Sequence, residues 1–394
     1  MFPQRRQRWT DLVRRAIAVG MAICCFGAIP ARAQITQYAV YRGMESLSVA
    51  VALSDGDLLT FHAAGAAGTG MFGLQPSAPP AAGGVLLTIR GQNFASPEIS
   101  HPSMSSSGAM CFTDIDVDGR SAIFTRSAGG TLLTIRGDNF GSYAGAFMGG
   151  GSIGTILGDF RNAAGQAALL AVQPGGSHIT IVGDNFGARG FGRARSGAGG
   201  RTYTLFDAFP VNGIVNSGIL SIGDDGTIIT IVGRDQFQNV RGPAVSNDTI
   251  VFTGLEVASG VGGVFARAPG GSIITIHGQH FIDPPYLSEP AANDAGAVVF
   301  ARLGAANGGV ERIHYTDMFG GPLQTLVAVG DPLLDSTVVE LFFNPDGLNQ
   351  AGDFAYGARL ADGSTAIMIA TGIPAPGAAA LLGLGAIAAG RRRR

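Results

Sequence analysis

Gly83-Gly84-Val85-Leu86-Leu87-Thr88-Ile89-Arg90-Gly91 returns along the chain as Gly129 to Gly137 (GGTLLTIRG), Gly175 to Gly183 (GGSHITIVG), Asp225 to Gly233 (DGTIITIVG), Gly270 to Gly278 (GGSIITIHG) and Gly320 to Val329 (GGPLQTLVAV). The residues after the threonine are Ile89, Ile135, Ile181, Ile231, Ile276 and Leu326, so the steps are 46, 46, 50, 45 and 50. Each copy opens on turn formers and continues with a β-branched run, which predicts one strand per repeat. Several copies end in an aromatic corner: Asn93-Phe94, Asn139-Phe140, Asn185-Phe186, Gln236-Phe237 and His280-Phe281.

A second, weaker motif lies between these strands. Its best copies are Asn162-Ala-Ala-Gly165-Gln-Ala-Ala168-Leu169, Asn293-Asp-Ala-Gly296-Ala-Val-Val299-Phe300 and Asn349-Gln-Ala-Gly352-Asp-Phe-Ala355-Tyr356; degenerate copies end at Phe61, Phe112, near Leu220 and at Phe252. Asparagine and glycine tolerate a positive φ, so this motif predicts a tight turn feeding a strand whose last aromatic is buried. A third strand often follows, as at Ala122-Ile123-Phe124, Gly263-Val264-Phe265 and Thr365-Ala366-Ile367.

The last repeat runs through Tyr356 and Ala366-Ile367-Met368 and stops before any Thr-Ile strand, whereas Tyr38-Ala39-Val40-Tyr41-Arg42-Gly43 supplies one near the start. Counting that strand gives seven of each type. The N-terminal strand is therefore expected to complete the last blade of a seven-bladed β-propeller, an all-β ring that buries its sheet edges. Two rivals share the periodicity: an open β-solenoid, because repetition alone does not force closure, and an immunoglobulin-like sandwich. The string Gly129 to Phe140 resembles the IPT/TIG domain, but such sandwiches need about 100 residues, twice the step seen.

The repeat pattern resembles the tandem NxxGxxAF-repeat family of secreted bacterial proteins, from about Tyr38 to Ala370. The C-terminus reads Ile373-Pro374-Ala375-Pro376-Gly377, an apolar stretch from Ala378 to Ala389, then Arg391, Arg392, Arg393 and Arg394. It resembles the PEP-CTERM sorting tail of bacterial surface proteins, with Ala375 where that family usually has glutamate. The resemblance implies recognition by an exosortase and transient membrane contact through this segment. A simple C-terminal anchor is the plainer reading, although the apolar part is shorter than a full span.

At the other end, Arg5, Arg6, Arg8, Arg14 and Arg15 precede an apolar run from Ala16 to Ile29 and the triplet Ala31-Arg32-Ala33. That order is expected of a secretory signal cut after Ala33 by signal peptidase. The chain thus divides into a signal (1–33), a repeat domain (34–372) and a sorting segment (373–394), and predicts an exported protein of the cell surface, outer envelope or extracellular space.

The 394 residues include 62 glycines, only 14% are charged, and none is lysine. Six arginines in the first 33 residues and four at the end leave 16 basic against 27 acidic residues between Gln34 and Gly372. So acidic a body repels phosphate and argues against nucleic acid as a partner. Removing the signal leaves Cys111 as the only cysteine, so no intramolecular disulfide is expected and stability rests on packing.

Among candidate sites, Asp114-Ile115-Asp116-Val117-Asp118-Gly119 has the opening of a calcium loop, with Asp114, Asp116 and Asp118 as ligands, but Thr125 stands where that loop has its bidentate glutamate. The alternative is a hairpin between Phe112 and Phe124 with solvated acids. The histidines, His62, His101, His178, His277, His280 and His314, lack zinc-enzyme spacing and are read as turn and surface residues. Gly150-Gly151-Ser152-Ile153-Gly154 matches a nucleophile elbow only formally, within a glycine run. Cys111, between Met110 and Phe112, is read as a buried small hydrophobe.

With no catalytic set apparent and no cofactor called for beyond calcium, the sequence favours a non-enzymatic, exported propeller with a structural or binding role toward an unknown extracellular ligand. A calcium-dependent binder of polysaccharide or protein is the second reading. A glycan-acting propeller enzyme is the third, and it requires acids from several repeats to converge at one mouth of the ring.

Overall fold

Every blade is an antiparallel sheet, built because each repeat supplies short alternating runs between tight turns. A computed structural model describes residues 35–43, 46–65, 68–75, 85–90, 102–115, 121–127, 130, 132–135, 142–148, 156–161, 166–172, 178–183, 188–197, 201–211, 214–223, 225–281, 286–304 and 308–373. Thr36–Ala378 forms one compact unit. Among the described residues no helix is long and apolar enough to cross a membrane. The signal with Ala31 and Ala33, and the tail with Pro374, Pro376 and Arg391 to Arg394, lie outside them.

Strand β1 (Thr36–Gly43) stands first. Blade one is β2 (Ser46–Leu53), β3 (Leu59–Gly65), β4 (Gly68–Gln75) and β5 (Val85–Arg90); blade two is β6 (Ser103–Met104), β7 (Met110–Ile115), β8 (Ser121–Arg126) and β9 (Leu132–Ile135). Blade three is β10 (Ser142–Met148), β11 (Ile156–Arg161), β12 (Ala167–Val172) and β13 (His178–Val182); blade four is β14 (Ala188–Ser196), β15 (Thr202–Val211), β16 (Ile214–Ile222) and β17 (Ile228–Val232). Blade five is β18 (Phe237–Ser246), β19 (Thr249–Glu256), β20 (Gly262–Arg267) and β21 (Ile273–Phe281); blade six is β22 (Ala291–Ala292), β23 (Ala297–Leu303), β24 (Val310–Asp317) and β25 (Gln324–Ala328). The last blade holds β27 (Ser336–Phe342), β28 (Phe354–Leu360) and β29 (Thr365–Thr371), with a short β26 (Pro332–Leu333) hairpinned onto β27. A single pair, Val310↔Leu341, joins blades six and seven into one nine-stranded sheet.

The expected closure is present. β1 pairs antiparallel with β29, Tyr38 opposite Ile369 and Arg42 opposite Ala366, and so becomes the fourth strand of blade seven. Blade seven then packs on blade one, because Ala355, Ile367 and Ile369 share a core cluster with Val51, Leu53 and Phe61. In an open solenoid the first and last units do not touch, so this contact removes that rival.

The Thr-Ile strands prove to be the outermost strand of each blade: β5, β9, β13, β17, β21, β25 and, in blade seven, β1. Five copies of the second motif fall on second strands, at Phe61, Phe112, Phe252, Phe300 and Tyr356. Their aromatics are buried and pair in register with the third strand. Phe61 faces Phe72, Phe112 faces Phe124 and Phe252 faces Phe265, with ring centroids 5.9, 5.4 and 5.6 Å apart. Such stacks add about 0.5–1.5 kcal/mol to the burial of each ring.

Two copies sit one strand later than expected, Leu169 on β12 and Leu220 on β16. At the second of these there is no turn. Asn216 lies inside β16 opposite Ala208, and Gly218 is a glycine because a Cβ there would run into the Val232 carbonyl and the Phe206 ring.

Candidate functional site

The inner strands β2, β6, β10, β14, β18 and β22 and the turn Pro345–Gly347 after β27 converge on a central cavity of about 590 Å³, to which all seven blades contribute lining residues. Carboxylates reach it from three blades: Asp55 from blade one, Asp294 from blade six and Asp346 from blade seven. Hydroxyls and amides stand among them, including Ser105, Ser106 and Ser107 from blade two and Asn349 and Gln350 from blade seven. A cavity of this size, with a few convergent polar groups on apolar walls, is the usual form of a small-molecule site.

The mouth is laced by the turns that follow the inner strands. Asn293 accepts the Ala297 N–H on Oδ1 at 3.0 Å, and Asn349 accepts the Asp353 N–H at 2.8 Å, so each asparagine caps its own turn. Three residues on, Gly296 and Gly352 take φ of 91° and 87°, the left-handed conformation the motif predicts. The amide nitrogens do a different job. Asn293 Nδ2 donates to the Asn349 carbonyl at 3.0 Å, and Asn349 Nδ2 donates to the Ser54 carbonyl at 3.4 Å, so each capping asparagine also holds the next blade.

Main chain and side chains continue the chain of bonds. Asn247 N donates to Asp294 Oδ1 and Gln350 N to Asp55 Oδ1, at 2.8 and 2.7 Å, and Asp55 N donates to the Ser106 carbonyl at 3.1 Å. Blades five, six, seven, one and two are thereby tied in sequence around one rim.

Behind the rim lies a buried ionic cluster. Gly190-Phe-Gly-Arg193-Ala-Arg195 puts two arginines on one face of β14, because alternate residues of a strand share a face. Arg193 Nε meets Glu289 at 2.8 Å, its Nη1 meets Asp346 at 2.8 Å, and its Nη2 donates to Asn344 Oδ1 at 3.2 Å. Arg195 pairs with the other oxygen of Asp346 and donates to the Met148 carbonyl at 3.4 Å. Asn344 Nδ2 in turn donates to the Pro102 carbonyl at 3.2 Å. Two cations and two anions drawn from blades four, six and seven thus neutralise one another.

Burial pulls the Arg193 guanidinium down, but the Asp346 and Glu289 carboxylates outweigh it and hold it above its ordinary value. For Arg195 burial wins, aided by Arg193, and its value falls. Burial pushes the Asp346 carboxyl up, yet the two guanidiniums outweigh that and keep it below the usual carboxylate range, so it stays ionised. None of these residues was singled out in the sequence. The readable signals were the arginine alternation at 193 and 195 and the turn sequence Asn344-Pro-Asp346-Gly.

The sites expected from sequence fare differently. Asp114 lies on β7 and is buried, while Asp116 and Asp118 fall outside the described residues. β7 and β8 form the alternative hairpin, Phe112 opposite Phe124 and Ile115 opposite Ser121, but Asp114 is not the solvated acid that reading supposed. Among the described residues no three His, Cys, Asp or Glu side chains are grouped to hold a metal ion. Ser152 of the glycine run also lies outside them. Cys111 is buried between blades two and three, and burial drives its thiol strongly upward.

Two histidines depart from the surface reading: His62 and His314 are both buried. His314 occupies the third-strand aromatic position of blade six, opposite Phe300 with ring centroids 5.6 Å apart. Burial lowers it to about 4.

No family model matches the chain, and no curated protein does. Solved structures do. An oligogalacturonate lyase in complex with manganese is 12% identical, with 87% of this chain and 98% of that chain covered at a TM-score of 0.56. The oligogalacturonate lyase of Vibrio parahaemolyticus is 10% identical over 86% and 96% of the two chains, TM-score 0.57. The β-propeller domain of the Trilobed protease from Pyrococcus furiosus, described as an open velcro topology, is 11% identical over 79% and 91%, TM-score 0.52.

At such identities the fold is what is shared. The fold nevertheless corrects one expectation. A non-enzymatic display protein was inferred from the lack of a catalytic set along the repeats, but propellers of this shape include enzymes, and one of them is described with a metal. Of the groups that converge here, Asp55, Asp294, Asn349 and Gln350 lie in turns of the second repeat motif, whereas Arg193, Arg195 and Asp346 lie outside both motifs.

Proposed function

We propose that the chain is a glycan-acting propeller with the central cavity as its site. The observation that carries this reading is the meeting of Asp55, Asp294 and Asp346, from three different blades, with serine hydroxyls and side-chain amides in one cavity. Carboxylates and amides are the groups that bind sugar hydroxyls, and paired carboxyl groups are what glycoside chemistry uses for proton transfer. Asp346 is locked between two arginines, so it orients the inner wall, whereas Asp55 and Asp294 stand at the rim where a ligand enters. The likeness in fold to enzymes described as acting on oligogalacturonate lends support at the level of architecture.

The same reading takes residues 1–33 as an export signal and 373–394 as a sorting segment, which places the cavity outside the cytoplasm, where polysaccharide is met. Incubation of the purified protein with a polysaccharide panel, followed by mass spectrometry of the products, tests the activity. Shortened oligosaccharides that vanish in Asp294→Asn support it. No turnover of any glycan, together with no binding of any glycan, refutes it.

A further inference from the structure

The charges around the cavity carry the reading further, to the class of glycan. We propose, on the basis of the glycan reading above, that the site accepts neutral sugars and turns away uronic acids. Strong recognition of a sugar carboxylate draws on a guanidinium, an ammonium or a bound cation whose positive charge is not already balanced. The chain has no lysine. Among the described residues the cationic side chains lining the cavity are Arg193 and Arg195, and both are in buried ion pairs. Arg193 is ion-paired with Glu289 and Asp346 and donates to Asn344. Arg195 spends Nη2 on Asp346 and Nη1 on the Met148 and Ala194 carbonyls. A ligand carboxylate would share these guanidiniums with Asp346 and Glu289, which already balance their charge, and so would bring an uncompensated anion into the cavity.

The rim opposes an acid as well. Asp55 and Asp294 each accept a backbone N–H, from Gln350 and from Asn247, and among the described residues neither is in an ion pair. Their charge is thus uncancelled where the ligand passes. A neutral sugar meets no such field, and its hydroxyls can donate to the carboxylate oxygens and exchange bonds with Ser105 to Ser107. The selectivity rests on two features at once: guanidiniums whose charge is already balanced, and carboxylates at the entrance.

Calorimetric titration of the full-length protein with neutral oligosaccharides and with uronic acid oligosaccharides of equal length tests this. The expected result is binding of a neutral oligomer that is insensitive to salt, and binding of the uronate oligomer at least about tenfold weaker at about 10 mM salt, the difference shrinking near 1 M salt, where screening reaches only about 3 Å. The double variant Asp55→Asn, Asp294→Asn keeps both oxygen acceptors for Gln350 and Asn247, and it is expected to raise uronate affinity several-fold while leaving fold and melting temperature unchanged. Uronate binding as tight as, or tighter than, neutral binding overturns the selectivity and leaves the glycan reading standing. Failure of both classes to bind wild type and variant overturns the glycan reading and the selectivity with it.

Discussion

Replacing Asp346 by Asn keeps the size and one acceptor oxygen of the side chain but removes the anion that two buried guanidiniums share. Side-chain exposures in the wild type are 7% for Arg193, 14% for Arg195 and 8% for Asp346, so solvent screens little of the loss. Glu289 remains for Arg193, while Arg195 keeps only carbonyl partners. Breaking one side of a buried pair costs about 3–5 kcal/mol. A body of about 340 residues unfolds with an entropy near 0.7 kcal/mol per kelvin, so the melting temperature is expected to fall by about 4–7 °C. The pH dependence adds a second readout. The Asp346 carboxyl is held below its ordinary value, so its stabilisation is complete above about pH 3.9, where an unfolded aspartate titrates, and is lost as the pH drops toward the folded value. Scanning calorimetry at pH 7 and at steps below pH 4 should show the gap between wild type and Asp346→Asn narrow with acid. A variant that melts within a degree of wild type at pH 7, or a gap that widens below pH 4, refutes the view that this cluster bolts the blades together.

Asn349→Ala removes both the cap to Asp353 and the bond to blade one, and urea unfolding should show a loss of about 1–3 kcal/mol, well above that of Ala at the exposed Gln350. His314 is held near 4, below its unfolded value, so protons favour the unfolded chain as the pH falls from about 6.5 to 4. Stability should decline across that window in wild type and much less in His314→Phe, which restores the aromatic present in other blades; equal slopes in both proteins refute the assignment. Deleting Thr36–Gly43 uncovers the edge of β29, and light scattering should then find association through that strand, whereas a monomer of unchanged melting temperature contradicts the closure.

The outer strands were legible because each follows a Gly-Gly or Asp-Gly turn and is a run of β-branched residues, and simple counting then exposed the strand that Tyr38 to Gly43 lends to the last blade. The capping turns were clearest where asparagine fills them. Ser54 and Ser105 perform the same task, their Oγ atoms accepting the N–H groups of Leu58 and Ala109, four residues on, at 3.1 Å, but a hydroxyl in place of an amide left the copies ending at Phe61 and Phe112 degenerate. Blade five avoids the turn altogether: Asn247 and Asp248, with φ of 44° and 63°, make a two-residue hairpin. The inner strands were not legible. They face a cavity and one another across the ring, so each carries what its own neighbours demand, two arginines in blade four against two residues of strand in blades two and six. Partners such as Arg193 and Asp346 stand 153 positions apart in the sequence, with no periodic signal joining them.

The ladder between the first strand and the last has a practical corollary. Thr36 sits opposite Thr371, and Ile373 N donates to the carbonyl of Gly352 in the capping turn of blade seven. Head and foot of the body therefore surface side by side, next to the entrance. Splicing residue 373 to residue 36 through a short glycine bridge, and cutting a peripheral turn such as Gly308-Gly309 instead, should yield a rewired chain with the same seven blades. By the same geometry, a reporter dye placed at residue 373 becomes a sentinel beside the capping turn of blade seven.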